Sequence, residues 1–134
     1  MKPSTRLSAS IGAILVASLI GGIPAFAEGS WSSYLSSVAV GFRSRTWHDD
    51  NNDANGTIIR QSGCNQSSVS YVLVRHRFLL PGVKLTTAQF SCGSAQQFDW
   101  GRQDSSDYHF EVAAINGSTN AGLRVTVPSI QVEY

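Results

Sequence analysis

The stretch Asp104–Gly117, DSSDYHFEVAAING, constrains this chain more than any other. Tyr108, Phe110, Val112 and Ala114 alternate with His109, Glu111 and Ala113. A period of two sends successive side chains to opposite faces of a strand, so one of these sets lies on a core. Asn116-Gly117 follows at once, a dipeptide suited to the positive φ angles of a type I′ hairpin turn. The stretch therefore reads as a turn into a central β-strand, the strand itself, and the turn out of it.

The same alternation recurs along the chain. Ser37–Trp47 places Val38, Val40 and Phe42 opposite Arg43, Arg45 and Trp47. Thr57–Arg60 is a short strand after a polar loop. Val69–Leu80 carries Val72, Val74, Phe78 and Leu80 in one register and Tyr71, Leu73, Arg75 and Arg77 in the other. Pro81-Gly82 is a turn signal. Val83–Cys92, Gln96–Trp100 and Leu123–Tyr134 complete the set, with Pro128 marking an edge strand or a bulge in the last. No helical spacing is sustained after Glu28, and short strands between turn signals point to a two-layer all-β domain. Asp104-Ser105-Ser106-Asp107-Tyr108 resembles the tyrosine corner of immunoglobulin-type sandwiches, and Tyr108-x-Phe110-x-Val112-x-Ala114-x-Asn116 resembles the matching strand of fibronectin type III domains. The resemblance implies an all-β, immunoglobulin/fibronectin-III-like β-sandwich of about seven short antiparallel strands with one disulfide. Phe110 stands where an antibody domain has its second cysteine. The resemblance implies no activity, since sandwiches host many functions.

Residues 1–27 read as a secretory signal peptide. Lys2 and Arg6 open it, Ile11–Pro24 is apolar, and Ala25-Phe26-Ala27 has the small-x-small form of a cleavage site. The apolar run is shorter than the roughly 20 residues a spanning helix needs. Residues 28–134 are then a single mature domain. Losing Lys2 and Arg6 leaves eight basic against nine acidic residues. This near-neutral balance argues against nucleic acid, which asks for a strong positive excess, and weakens any case for binding to anionic membranes, so no membrane partner is expected after cleavage. Cys64 and Cys92 are the only cysteines. In an exported chain they are expected to pair, closing a loop of about 29 residues that contributes roughly 3–4 kcal/mol. Asn55-Gly56-Thr57, Asn65-Gln66-Ser67 and Asn116-Gly117-Ser118 match the glycosylation sequon, but the compact leader reads as bacterial and these as ordinary turns.

Three sets of residues could carry chemistry. In the loop His48–Gly56, Asp49, Asn51, Asp53 and Asn55 offer alternate oxygens, a pattern that suits calcium, a hard cation with six to eight oxygen ligands. An EF-hand is excluded, because Ser62 stands where its glutamate belongs and the flanks are strands. The plainer reading is a solvated turn, and no other cofactor is expected. The second set is an Arg–aromatic face. Arg43, Arg45 and Trp47 share one strand face and Arg75 and Arg77 another, with Trp100 and Tyr71 in reserve. Such a face would stack a sugar on the indole and bind hydroxyls or carboxylates through arginine forks. The plainer reading makes it a solvated face with Trp47 in the core. The third set is His48, His76 and His109, which would support acid–base catalysis only if two of them shared a pocket with a carboxylate. No H-E-x-x-H, G-x-S-x-G or phosphate loop is present.

These features lead to the expectation of a secreted, non-enzymatic module that binds carbohydrate or cell-wall polymer through the Arg–aromatic face. A secreted protein-interaction module (an inhibitor, toxin component or adhesin subunit) is the alternative, and a small hydrolase the third reading.

Overall fold

The computed structural model describes residues 28–134; the leader expected at 1–27 lies outside them. Eight strands occur in the order β1 (Ser30–Val38), β2 (Trp47–Asp49), β3 (Ile58–Gln61), β4 (Ser68–Arg77), β5 (Leu80–Ser91), β6 (Gln96–Asp99), β7 (Ser106–Ile115) and β8 (Val125–Glu133). All pairings are antiparallel, in two four-stranded sheets of order β1-β8-β3-β6 and β2-β7-β4-β5. Among the described residues there is no helix, and so none long and apolar enough to cross a membrane.

The two sheets bury one core between them. Ile59, Val125, Val127, Ile130 and Val132 come from the first sheet, and Tyr71, Leu73, Phe90, Tyr108, Phe110, Val112 and Ile115 from the second. Alternation put these residues on one face, as the sequence suggested, with one shift. The β4–β7 register slips between Ser70 and Tyr71, where Ser70 faces Ala114 but Tyr71 faces Val112. This bulge turns Ile115, rather than Ala114, fully inward. The core has one polar link: the Tyr71 hydroxyl donates to Gln61 Oε1 at 2.7 Å, joining the sheets.

Local devices set the strand ends. The Tyr108 hydroxyl donates to the Asp104 carbonyl at 2.6 Å, tying the corner that leads into β7. Burial pushes this phenol up to about 12. Asn116 and Gly117 both have positive φ, as a type I′ turn requires. The turn is closed by Ile115 and Ser118, each donating to the other's carbonyl. At Pro128, β8 is interrupted by a register shift against β1, so the proline occupies a bulge rather than an edge. The disulfide Cys64–Cys92 forms, pinning the β3–β4 loop to the end of β5.

The expected strand Ser37–Trp47 does not form as one piece. Gly41 adopts φ +96, Phe42 N–H donates to the Ala39 carbonyl, and the chain turns there. Before the turn, the serine-rich β1 belongs to the first sheet. After it, residues 42–44 run beside β7, with Ser44 N–H on the Phe110 carbonyl and Arg43 opposite Glu111. The crossing carries the chain to the second sheet.

Candidate functional site

The outer face of the second sheet holds the densest polar chemistry. Val74 of β4 pairs with His109 of β7 on one side and with Lys84 of β5 on the other. Val72 pairs with Glu111, and Glu111 with Arg43. These residues thus form two adjacent rows across the sheet, all pointing away from the core. Arg43, Val74, His76, Arg77, Lys84, His109 and Glu111 line a cleft of about 400 Å3 there, closed at one end by Leu80–Gly82. Gly82 keeps that end open: a Cβ would lie 2.6 Å from Val74 Cγ1 and 3.2 Å from the Arg75 carbonyl oxygen.

A hydrogen-bonded chain runs through the cleft. His109 Nε2 lies 2.8 Å from Glu111 Oε2, and His109 Nδ1 lies 2.8 Å from His76 Nε2. With Glu111 ionised, His109 donates through Nε2. Its Nδ1 then accepts from His76 Nε2–H, which fixes both tautomers. Arg43 Nη2 also points at Nδ1, at 3.3 Å. His109 is only 2% exposed. Burial is the main reason its pKa lies below the ordinary histidine value, and the neighbouring Arg43 adds to the effect against the pull of Glu111. Lys84 Nζ approaches the second Glu111 oxygen at 3.8 Å. The cleft therefore holds three fixed cations and one carboxylate, and that carboxylate is already engaged.

Of the expected Arg–aromatic face, only part comes together. Trp47 is a core residue, 4% exposed, packed on Trp31, Tyr108 and Tyr134 at centroid distances of 5.8, 6.3 and 5.9 Å. The irregular backbone between Arg43 and Trp47 turns the indole inward, so Trp47 offers no stacking surface. Tyr71 is fully buried with its hydroxyl on Gln61, and the same correction applies to it. Arg45 lies over the Trp31 ring, 5.2 Å from its centroid, beside a groove of about 90 Å3 shared with Tyr34 and Phe42. Arg75 leaves the set: its guanidinium meets Asp104 at 3.6 Å. Arg77 instead ends β4 and lines the cleft, so the two arginines that simple alternation places together have different neighbours. Only Arg43 and Arg77 share a cleft.

The loop Asp49–Asn55 directs its oxygens to backbone and to a cation. Asp49 Oδ1 accepts from Asn51 N–H, and Asp53 Oδ1 from Asn55 N–H, both at 2.8 Å. Asn51 Oδ1 accepts from Arg102 Nε at 2.5 Å, and its carbonyl from Arg102 Nη2 at 3.3 Å. The Glu28 carboxylate accepts from the backbone N–H of Asp50 and Asn52. Burial, and then the proximity of Glu28 and Asp53, raise the Asp49 pKa. Among the described residues, no group of three or more His, Cys, Asp or Glu side chains is placed to hold a metal ion. His48 stands apart, with Nδ1 at 2.7 Å from Asp107 and Nε2 at 2.9 Å from Asp50. The bond to Asp107 leads the causes that raise its pKa.

Sequence spacing identified the histidines, Glu111 and the arginines but missed Lys84 and the convergence of His76 on His109. The signal was present only as parity: Val72, Val74 and His76 occupy alternate positions of one strand. No protein-family model matches the chain, and no match to it is found among curated proteins.

Proposed function

We propose that this protein is an extracellular, non-enzymatic binding module that takes an anionic group of a polysaccharide or cell-wall polymer into the β4–β5–β7 cleft. One observation carries the reading: Arg43, Arg77 and Lys84 converge on a cleft of about 400 Å3 whose only carboxylate, Glu111, is bonded to His109. Arginine forks match carboxylate and phosphate oxygens. The leader-like residues 1–27 and the disulfide support export. We also read the two sheets as an immunoglobulin/fibronectin-III-like sandwich with exchanged edges. β3-β6 and β7-β4-β5 keep the central order of that plan, while β8 takes the place of its first strand and β2 that of its last.

Retention of the protein on insoluble polyanionic polymers and isolated cell walls tests the binding reading. Retention is expected to fall with salt and to be lost in the double variant Arg43→Gln, Lys84→Gln, with no dependence on calcium or chelator. Equal retention on neutral polysaccharide, or an unaffected double variant, overturns it. The Glu111–His109–His76 chain favours a second reading, a small hydrolase in which His76 exchanges a proton with substrate and His109 positions it. That reading requires a pH-dependent hydrolytic activity that His76→Ala abolishes without unfolding the domain.

A further inference from the structure

Beyond the cleft, the β4–β5 turn itself is unusual. Phe78, Leu79 and Leu80 are 87%, 84% and 59% exposed. Tyr34 is the other large hydrophobic exposed among the described residues, so three of the four lie consecutively on one tip. Hairpin turns are ordinarily filled by Gly, Asn, Asp or Pro, which accept the required angles and water. Here Leu79 has φ +57, a region that a bulky side chain rarely adopts and that glycine enters freely. Arg77 Nε braces the turn by donating to the Pro81 carbonyl at 2.9 Å. Exposed apolar area and left-handed backbone both work against the isolated domain, and nothing in the described chain covers the tip.

We propose that this tip is a membrane-docking element: Phe78, Leu79 and Leu80 enter the interfacial layer of a bilayer whose anionic lipid phosphates meet Arg77, Arg43 and Lys84. Charge complementarity selects this occupant. Arg77 adjoins the apolar triplet in sequence, and Arg43 and Lys84 lie in the cleft that Leu80 closes. Apolar side chains with cations along one side match the layered chemistry of acyl chains beneath phosphates, and an apolar groove on a protein would not call for the cations. The near-neutral net charge of the chain does not oppose this, because screening limits charge effects to about 8 Å at physiological salt and the local excess is positive.

Flotation of the full chain with vesicles tests the proposal, using phosphatidylcholine alone and phosphatidylcholine mixed with phosphatidylglycerol. Residues 1–27 are common to parent and variants, so differences report on the tip. The parent is expected to float with the anionic vesicles. The double variant Phe78→Ser, Leu80→Ser is expected to lose roughly tenfold or more in vesicle affinity. Leu79→Gly is expected to weaken vesicle binding while folding at least as stably as the parent, since it relieves the left-handed leucine. Phe78→Trp is expected to show blue-shifted emission on vesicles, quenched by brominated acyl chains. Tip variants that float like the parent, a Phe78→Trp emission that vesicles do not change, or no binding to either vesicle overturns the proposal; the last assigns the tip to a protein partner. Leu79→Gly and Phe78→Trp alter no residue that lines the cleft, so polymer retention that persists in Leu79→Gly separates this proposal from the cleft reading.

Discussion

Replacing Trp47 by alanine separates a structural indole from a binding one. Its side chain is almost entirely enclosed, between Trp31, Tyr108 and Tyr134. A buried tryptophan hides about 150–250 Å2, which at ~25 cal/mol per Å2 is worth about 4–6 kcal/mol. Large-to-small replacements of aromatic core residues cost about 3–5 kcal/mol, because the cavity collapses only in part. Domains of ordinary stability have about 5–15 kcal/mol in total, so Trp47→Ala is expected to leave a marginal fold. Trp47 Nε1 has no hydrogen-bond partner. Trp47→Phe therefore sacrifices no hydrogen bond and is expected to cost only about 1–2 kcal/mol. Urea unfolding followed by far-UV circular dichroism measures both. With an m value of about 1–3 kcal/mol/M, the alanine variant should lower the midpoint by roughly 2 M. A Trp47→Ala protein that unfolds within about 1 kcal/mol of the parent, yet loses polymer binding, would refute the core assignment.

Three further outcomes follow from the same structure. Tyr71→Phe strands the buried Gln61 Oε1 and is expected to cost about 1–3 kcal/mol by urea unfolding. The pair Cys64→Ser, Cys92→Ser is expected to lose about 3–4 kcal/mol, matched by the parent under reductant. His109 resists protonation in the fold, so the unfolded chain takes up the proton first as pH drops below the ordinary histidine value of 6.5. Stability is expected to fall across that window, and the fall should shrink in His109→Gln; a profile identical to the parent's would contradict the burial argument. His48 carries the opposite sign, its raised pKa placing its loss of support above 6.5, so the two effects are separable by pH.

The legible part of the fold rested on alternation and on local chemistry. β7, with its corner at Tyr108 and its Asn116-Gly117 turn, was readable because each feature is written within a dozen residues. β4 and β5 were readable as strands, but their turn falls at Phe78-Leu79, and Pro81-Gly82, the expected turn, lies within β5; Pro128 announced its bulge. β1 was not: in SWSSYLSSV only Leu35 is fully buried and two register shifts interrupt its pairing with β8, so no periodicity survives. The Arg–aromatic face failed between Arg43 and Trp47, where residues 44–46 form no strand and so do not hold Arg43, Arg45 and Trp47 in one alternation. The cleft was unreadable for a different reason. Glu111, His109 and His76 meet through the pairing of β4 with β7, and sequence parity cannot say which strands are neighbours. Net charge concealed the same region, because Arg43, Arg77 and Lys84 converge beside one carboxylate while Glu28, Asp49, Asp50 and Asp53 gather around another loop.

The position of β8 has a consequence for how the molecule comes into being. This strand lies in the middle of the first sheet, between β1 and β3, and its register joins Ser30 to Glu133. The first sheet therefore cannot consolidate until β8 has emerged, whereas β4, β5 and β7 can pair earlier. Contacts so far apart in sequence place folding in the slow regime, of the order of milliseconds to seconds. During synthesis the chain can therefore pass through a stage with the second sheet assembled, its inner face still bare, and β3 paired only with β6. The disulfide loop lies wholly within residues 64–92 and can close during that stage. Oxidation would then hold the half-built domain in register while it waits for its last strand.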